Sequence, residues 1–304
     1  RGDVAASTRA RVMEAVKVVG YVPRIDESEA TGHSTVLVIM DRIKTMYSAT
    51  ILDGLVEGGS GLGVEVAVRF VESVKTGADV KLPPRCAGVV FVTVASDFLR
   101  GFHRAHPSIP VVAIDPNRVA AHAMTIGATN WRGAREATTH LLELGHTRIG
   151  WIGGRGDDVA SAERHEGYVS ALTAAGLTPR PEWQITADYS FEAGRTAAIE
   201  LLSSNDQLTA LVAANDEIAL GAMEAVRHRG MRVPEELSIV GFDDTPQALW
   251  STPGLTTVHQ PLTDMGRLAI SAIVSASRGV QPHSRHMQLQ TELVVRGTTA
   301  PPMD

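Results

Sequence analysis

The 304-residue chain has a single cysteine, Cys86, which excludes an internal disulfide and any multi-cysteine zinc site and suits a reducing, cytoplasmic compartment. No stretch approaches the roughly 18 consecutive apolar residues of a membrane-spanning helix, and no leader pattern opens the chain. Positive charge is in deficit. The 28 Lys and Arg stand against 34 Asp and Glu, a net charge of −6, so the bulk of the chain is no electrostatic binder of nucleic acid, and any DNA contact falls to a small local basic element. Walker loop, HExxH and nucleophile-elbow motifs are missing, and "GGRG" at 153–156 lacks the spacing of a dinucleotide loop. No cofactor is expected, and no internal repeat or low-complexity tract occurs.

What remains is an ordinary globular composition, 44% hydrophobic and 20% charged, with length for about two domains. From Ser34 onward, short β-branched runs such as "TVLVIM", "GVVFVTV", "RIGWIGG" and "LSIVGF" alternate with helical patterns of roughly ten or more residues. That alternation predicts right-handed βαβ crossovers and parallel sheets, and the continuous apolar runs predict strands covered by helices on both faces. The strands are too many for one comfortable open sheet. The fold class is therefore α/β, with two doubly wound parallel-sheet lobes joined near residues 126–132. The run "MQLQTELVVR" reads as the last strand.

Before Ser34 the character changes. "STRARVMEAVKVVGY" has an apolar stripe at Val12, Ala15, Val16 and Val19, with Arg9, Arg11 and Lys17 elsewhere on its surface. One such helix cannot bury its stripe alone, so it reads as the end of a small domain whose beginning lies upstream. The first residue, Arg1, fits that expectation.

The polar residues gather at strand–helix junctions. Asn215 precedes the helix "DEIALGAMEAVRHRG", with Asp216 and Glu217 suited to its positive first turn. Capping alone would account for Asn215, yet a cap at such a junction also faces the crevice where open α/β sheets bind ligands. "LSIVGFDD" carries Asp243 and Asp244 at a strand end beside Phe242; loop solvation or capping explains one acid more easily than both. Asp115 ends "PVVAID", Gln260 ends "LTTVHQ", Arg164 lies in "SAERHEGY" and Tyr189 in "ADYSFEAG". Exposed salt bridging would explain Arg164, and surface packing Tyr189. Together they make a kit for a polyhydroxylated ligand, with planar polar groups for paired hydroxyls and an aromatic face for the C–H side of a ring. His103 and His106 share a helix face but have no evident third ligand, so no metal is expected.

On these residues the chain resembles the LacI/GalR family of bacterial transcriptional regulators over essentially its whole length. "TRARVMEAVKVVGYVP" looks like the last helix and exit of that family's DNA-binding head. "LLELGHTRIGWIGG", "ERHEGYVSAL", "AANDEIALGAMEAVRHRGMRVPEELSIVGFDD", "LTTVHQPLTDMG" and "TELVVRGTTAPP" then follow the core pattern in order. The resemblance implies a helix-turn-helix remnant at 1–24, a hinge at 25–33, and a periplasmic-binding-protein-like core. In that core 34–128 plus 262–289 form one lobe, and 129–261 plus 290–304 the other. It also implies a homodimer acting on operator DNA, and it implies effector contacts at Arg164, Asn215, Asp243 and Gln260, with Asp115, Phe242 and a stacking Tyr189. The chain departs from the pattern in three places. "RIDESEATGHS" is acidic and lacks the leucine that such hinges wedge into the minor groove. "KTMY" puts Lys44 and Tyr47 where relatives carry an amide and an aromatic, leaving room for a sugar phosphate or sugar acid. Pro116 replaces an arginine of pentose-binding relatives.

The expected function is a sugar-responsive repressor that is not an enzyme. A transport-type solute-binding protein and, less readily, a glycoside-processing enzyme stand as alternatives. Arg164→Ala is expected to abolish the effector response and leave the fold intact.

Overall fold

The computed structural model describes residues 34–41, 43, 45–118, 123–156, 158–205, 207–280 and 284–303. The expected N-terminal helix and linker at 1–33, and Lys44, lie outside the described residues.

The apolar runs form strands and the periodic stretches between them form helices. The chain begins β1 (Ser34–Met40), α1 (Met46–Leu62), β2 (Val64–Phe70), β3 (Cys86–Val92), α2 (Ser96–Ala105), β4 (Val111–Ile114) and β5 (Met124–Ala128). It continues α3 (Asn130–Glu143), β6 (Ile149–Gly153), α4 (Val159–Ala174), β7 (Gln184–Thr186), α5 (Phe191–Ser204), β8 (Ala210–Ala213), α6 (Asp216–His228), β9 (Ser238–Asp243), the short α7 (Pro246–Trp250) and β10 (Thr256–His259). Last come α8 (Leu262–Ser277), β11 (His286–Leu289) and β12 (Glu292–Val294).

Two six-stranded sheets result, ordered β11-β5-β4-β3-β1-β2 and β12-β10-β9-β8-β6-β7. Every residue of β6, β8 and β9 is buried, as required of central strands sandwiched between helix layers. The first sheet packs one apolar face under α1 and α8 and the other under α2. The second is covered by the pairs α3–α4 and α5–α6.

Helices of a pair lie close because glycine stands at their crossings. A Cβ on Gly54 of α1 would sit 2.1 Å from the Thr263 carbonyl oxygen of α8, and one on Gly167 of α4 would sit 2.2 Å from that of Trp131 in α3.

The parallel expectation needs one correction. β12 runs antiparallel to β10, because "MQLQTELVVR" is two strands rather than one. β11 pairs parallel with β5 in the first sheet, and two residues later the same segment enters the edge of the second. No crossover helix intervenes to reverse its direction, so it arrives antiparallel.

The chain thus passes between the sheets three times, at Thr129, at Gln260–Pro261 and at Gln290–Thr291. Two of the passages are clasped together. The hydroxyls of Thr129 and Thr291 lie 2.9 Å apart, the Thr291 amide donates to the Thr129 hydroxyl at 3.0 Å, and the Thr129 amide donates to the Leu289 carbonyl at 2.9 Å.

Gly167→Ala is expected to lower the unfolding free energy by about 1–3 kcal/mol through overpacking. Gly61→Ala, where the new Cβ meets nothing within 4 Å, is expected to raise it by about 0.5–1 kcal/mol. Urea denaturation of the two variants reads both signs.

Candidate functional site

Both sheets wind in the same order, so strand connectivity reverses between β1 and β3 in one and between β6 and β8 in the other. Open α/β sheets bind ligands outside the carboxyl ends of their strands at such switch points. Residues from both sets of strand ends line one cavity of about 180 Å³. The first lobe contributes Asp41 after β1, Thr45, Tyr47 and Ser48 at the start of α1, Thr93 after β3, and Asp115 and Asn117 after β4. From the second come Arg155 and Asp158 after β6, Arg164 on α4, Asp188 and Tyr189 after β7, Asn215 after β8, and Asp243.

Helix capping positions three of these side chains. Thr45 accepts from the Ser48 amide at 3.3 Å, Asp158 from the Ala160 amide at 3.1 Å and Asn215 from the Ile218 amide at 2.9 Å. Asn215 is thus both the cap of α6 and a lining residue, its carboxamide nitrogen left as a donor.

Arg164 is no exposed salt-bridging residue; it is only 3% exposed. Its Nε donates to Asn130 Oδ1 at 2.8 Å, its Nη1 donates to the Ala214 carbonyl at 2.6 Å, and Nη1 lies 3.6 Å from Asp243 Oδ1. The guanidinium carbon sits 3.9 Å from the centre of the Phe242 ring, a desolvated cation–π contact of about 2 kcal/mol. Burial opposes the charge, but Asp243, Tyr189, Asp115 and Asp158 hold its pKa above the ordinary value.

The two carboxylates of "GFDD" separate. Asp243 turns into the cavity, where burial pushes its pKa well up against the pull of Arg164. Asp244 is structural. It accepts from Arg296 Nη2 at 2.6 Å and lies 3.1 Å from His259 Nδ1, and these partners keep its carboxyl below the usual range although partial burial works the other way. Asp216, expected only to complement a helix dipole, is fully buried beneath this loop. It accepts from the amide and hydroxyl of Thr245 at 2.7 and 2.9 Å and from the Thr257 hydroxyl at 2.5 Å. Burial raises its pKa to about 7.

On the opposite wall the Tyr47 hydroxyl donates to Asp115. Burial raises the Asp115 pKa to about 6, opposed by Tyr47 and Arg164 and assisted by Asp158 and Glu163. The Tyr189 hydroxyl donates to Asp158 Oδ2 at 2.7 Å, with its ring against Gly154, where any Cβ would lie 2.2 Å from Tyr189 Cζ.

Of the residues picked from sequence, Tyr47, Asp115, Arg164, Tyr189, Asn215 and Asp243 line the cavity. Phe242 and Gln260 do not. Neighbouring strand residues point to opposite faces, so Phe242 lies between Arg164 and Gly133 of α3. Gln260, 1% exposed, sits on an interlobe passage behind Asp243 and donates from Nε2 to Asp243 Oδ1 at 2.6 Å.

Sequence reasoning passed over Asp41, Thr93, Arg155, Asp158 and Asp188. Asp158 was findable by the argument that found Asn215, being the cap after a buried strand. Thr93 carried no signal. It shares a left-handed backbone with Asp115 and Asp243, at φ 52°, 40° and 118°. Such strain costs about 1–3 kcal/mol per residue and clusters where side chains must be aimed at a ligand. Among the described residues, no three His, Cys, Asp or Glu side chains are placed to hold a metal.

Two parallel-sheet lobes with a polar cavity at their strand ends define a periplasmic-binding-protein-like core, and residues 138–299 match the periplasmic binding protein-like domain family. The HTH-type transcriptional regulator DegA of Bacillus subtilis (strain 168) is 30% identical over 99% of this chain and 91% of its own length. A transcriptional regulator CelR–cellobiose complex superposes with a TM-score of 0.79 at 28% identity, covering 97% of this chain and 92% of that one. The Lac repressor dimer bound to operator and the anti-inducer ONPF gives 0.79 at 25% identity, covering 98% and 92%. The chain belongs to the LacI/GalR family of transcriptional regulators.

Two outcomes follow from the site's electrostatics. Arg164→Ala strands Asp243 in the interior and is expected to cost about 3–5 kcal/mol, contrary to the expectation of an intact fold; adding Asp243→Asn should recover part of the loss in urea melts. The raised Asp115 pKa means that ionising this group opposes folding. The cost is absent below about pH 4 and fully felt above about pH 6. The stability difference between Asp115→Asn and the parent should therefore shift toward the variant by up to about 3 kcal/mol as pH rises from 4 to 7; a difference that stays flat with pH would contradict the shift.

Proposed function

We propose that this chain is the effector-binding core of a sugar-responsive repressor, in which a hydroxyl-rich small molecule bound between the lobes alters affinity for operator DNA. One observation carries the reading: carboxylates, a guanidinium and a carboxamide from both lobes converge on a single cavity. The relatives support it, since CelR is in complex with cellobiose and the Lac repressor is a dimer on its operator. A ligand that touches Tyr47 and Asp115 on one lobe and Arg164, Asn215 and Asp243 on the other binds differently as the angle between lobes changes. Only such differential affinity shifts the conformational equilibrium.

The protein acts as a homodimer in the cytoplasm. The exposed apolar side chains of Phe191, Leu249 and Trp250, the last 70% exposed, favour a covered surface; among the described residues no helix is long and apolar enough to cross a membrane.

It turns over nothing. A glycosidase pairs a proton-donating acid with a free carboxylate, whereas here Asp243 is set against Arg164 and Gln260, and Asp115 and Asp158 each accept a tyrosine hydroxyl.

A thermal-shift screen of the chain against neutral, aminated, phosphorylated and acidic sugars tests this reading, with chromogenic glycosides run in parallel. At least one sugar is expected to raise Tm saturably, and no glycoside to be cleaved. A flat screen, or cleavage abolished by Asp243→Asn, would overturn it.

A further inference from the structure

The described cavity wall has an excess of acceptors. Five carboxylates, those of Asp41, Asp115, Asp158, Asp188 and Asp243, face two guanidinium groups. Both cations stand beside carboxyl groups. Arg164 is committed to Asn130, the Ala214 carbonyl and Asp243, and Arg155 Nε stands 4.0 Å from Asp188.

The two phenol hydrogens of the wall are spent. Tyr47 gives its proton to Asp115 and Tyr189 gives its to Asp158, so both phenols turn only lone pairs toward a guest. Asn215 has used its oxygen on the Ile218 amide and keeps its nitrogen as a donor. Carboxyl groups thus outnumber cations along the described wall, which suits a ligand that brings hydrogens and positive charge.

The size of the cavity narrows the choice. About 180 Å³ lies below the roughly 300–1,000 Å³ of sites for drug-sized molecules, which fits one sugar ring rather than two.

We propose that the effector is a single-ring sugar or polyol carrying a protonated amine and no anionic group, of which a hexosamine is the type. This rests on the effector reading given above and deepens it. An ammonium brings three donors, no acceptor and one positive charge, and it offsets carboxylates that a neutral hydroxyl only hydrogen-bonds. A phosphate or uronate brings further acceptors and negative charge into a wall already rich in both. The Asp115 pKa of about 6 adds a pH signature: a cation favours the ionised carboxyl, so its affinity should rise between pH 5 and pH 7, over a range where a hexosamine amine remains protonated.

Isothermal titration calorimetry at low salt tests the proposal with matched series. Glucose, galactose and mannose are each compared with the 2-amino-2-deoxy sugar, the 6-phosphate and the uronate. The aminated member of at least one series should bind about tenfold more tightly than its neutral parent, with no heat from the phosphates or uronates. Asp158→Asn should shrink that preference, and Asp41→Asn, at an exposed position, provides the same test should Asp158→Asn fold poorly. Equal affinity for amine and hydroxyl forms, tighter binding of a phosphate or uronate, or a preference untouched by both variants overturns this inference and leaves the effector reading standing. Binding by no member of any series, with a flat thermal screen, overturns both.

Discussion

A charged guanidinium with almost no access to water organises this protein. Arg164 is tolerable in the interior only because its Nε has Asn130, its Nη1 has the Ala214 carbonyl and Asp243, and its flat face has Phe242. The four partners arrive from three places in the fold: Asn130 opens α3, Ala214 follows β8, and Phe242 and Asp243 end β9. Satisfying one buried cation therefore fixes the relative positions of three strand–helix junctions. It also leaves the acidic side of the arrangement facing the cavity.

Much of the framework was legible in the sequence because one physical signal dominates it. Strands buried on both faces must be continuously apolar, so "TVLVIM", "RIGWIGG" and "LSIVGF" announce themselves, and the helix grammar of "NDEIALGAMEAVRHRG" places Asn215 at the cap it occupies. The antiparallel β12 was not legible. Nothing within "MQLQTELVVR" signals that the segment leaves one sheet for the other, because partner choice depends on which edge is open rather than on local pattern.

The site divides similarly. Residues at strand ends were found because the switch-point argument is geometric and needs only element order. Side-chain direction was another matter. Phe242 and Asp243 are neighbours in a motif, yet one packs against α3 and the other faces the cavity, and only the pleat separates them. Thr93 escaped because its contribution depends on a backbone angle that a threonine side chain does not advertise. Asp216 looked like a dipole-complementing acid, and only burial revealed it as the anchor of the Thr245 and Thr257 hydroxyls.

Gln260 couples two parts of the architecture. It lies on the passage from β10 to α8, and its side chain holds the carboxylate at the end of β9. Any guest that pulls on Asp243 therefore also tugs, through one amide, on a strut joining the two halves. The other two struts are bolted to each other by Thr129 and Thr291, which leaves this third one as the strut tied to the cavity wall.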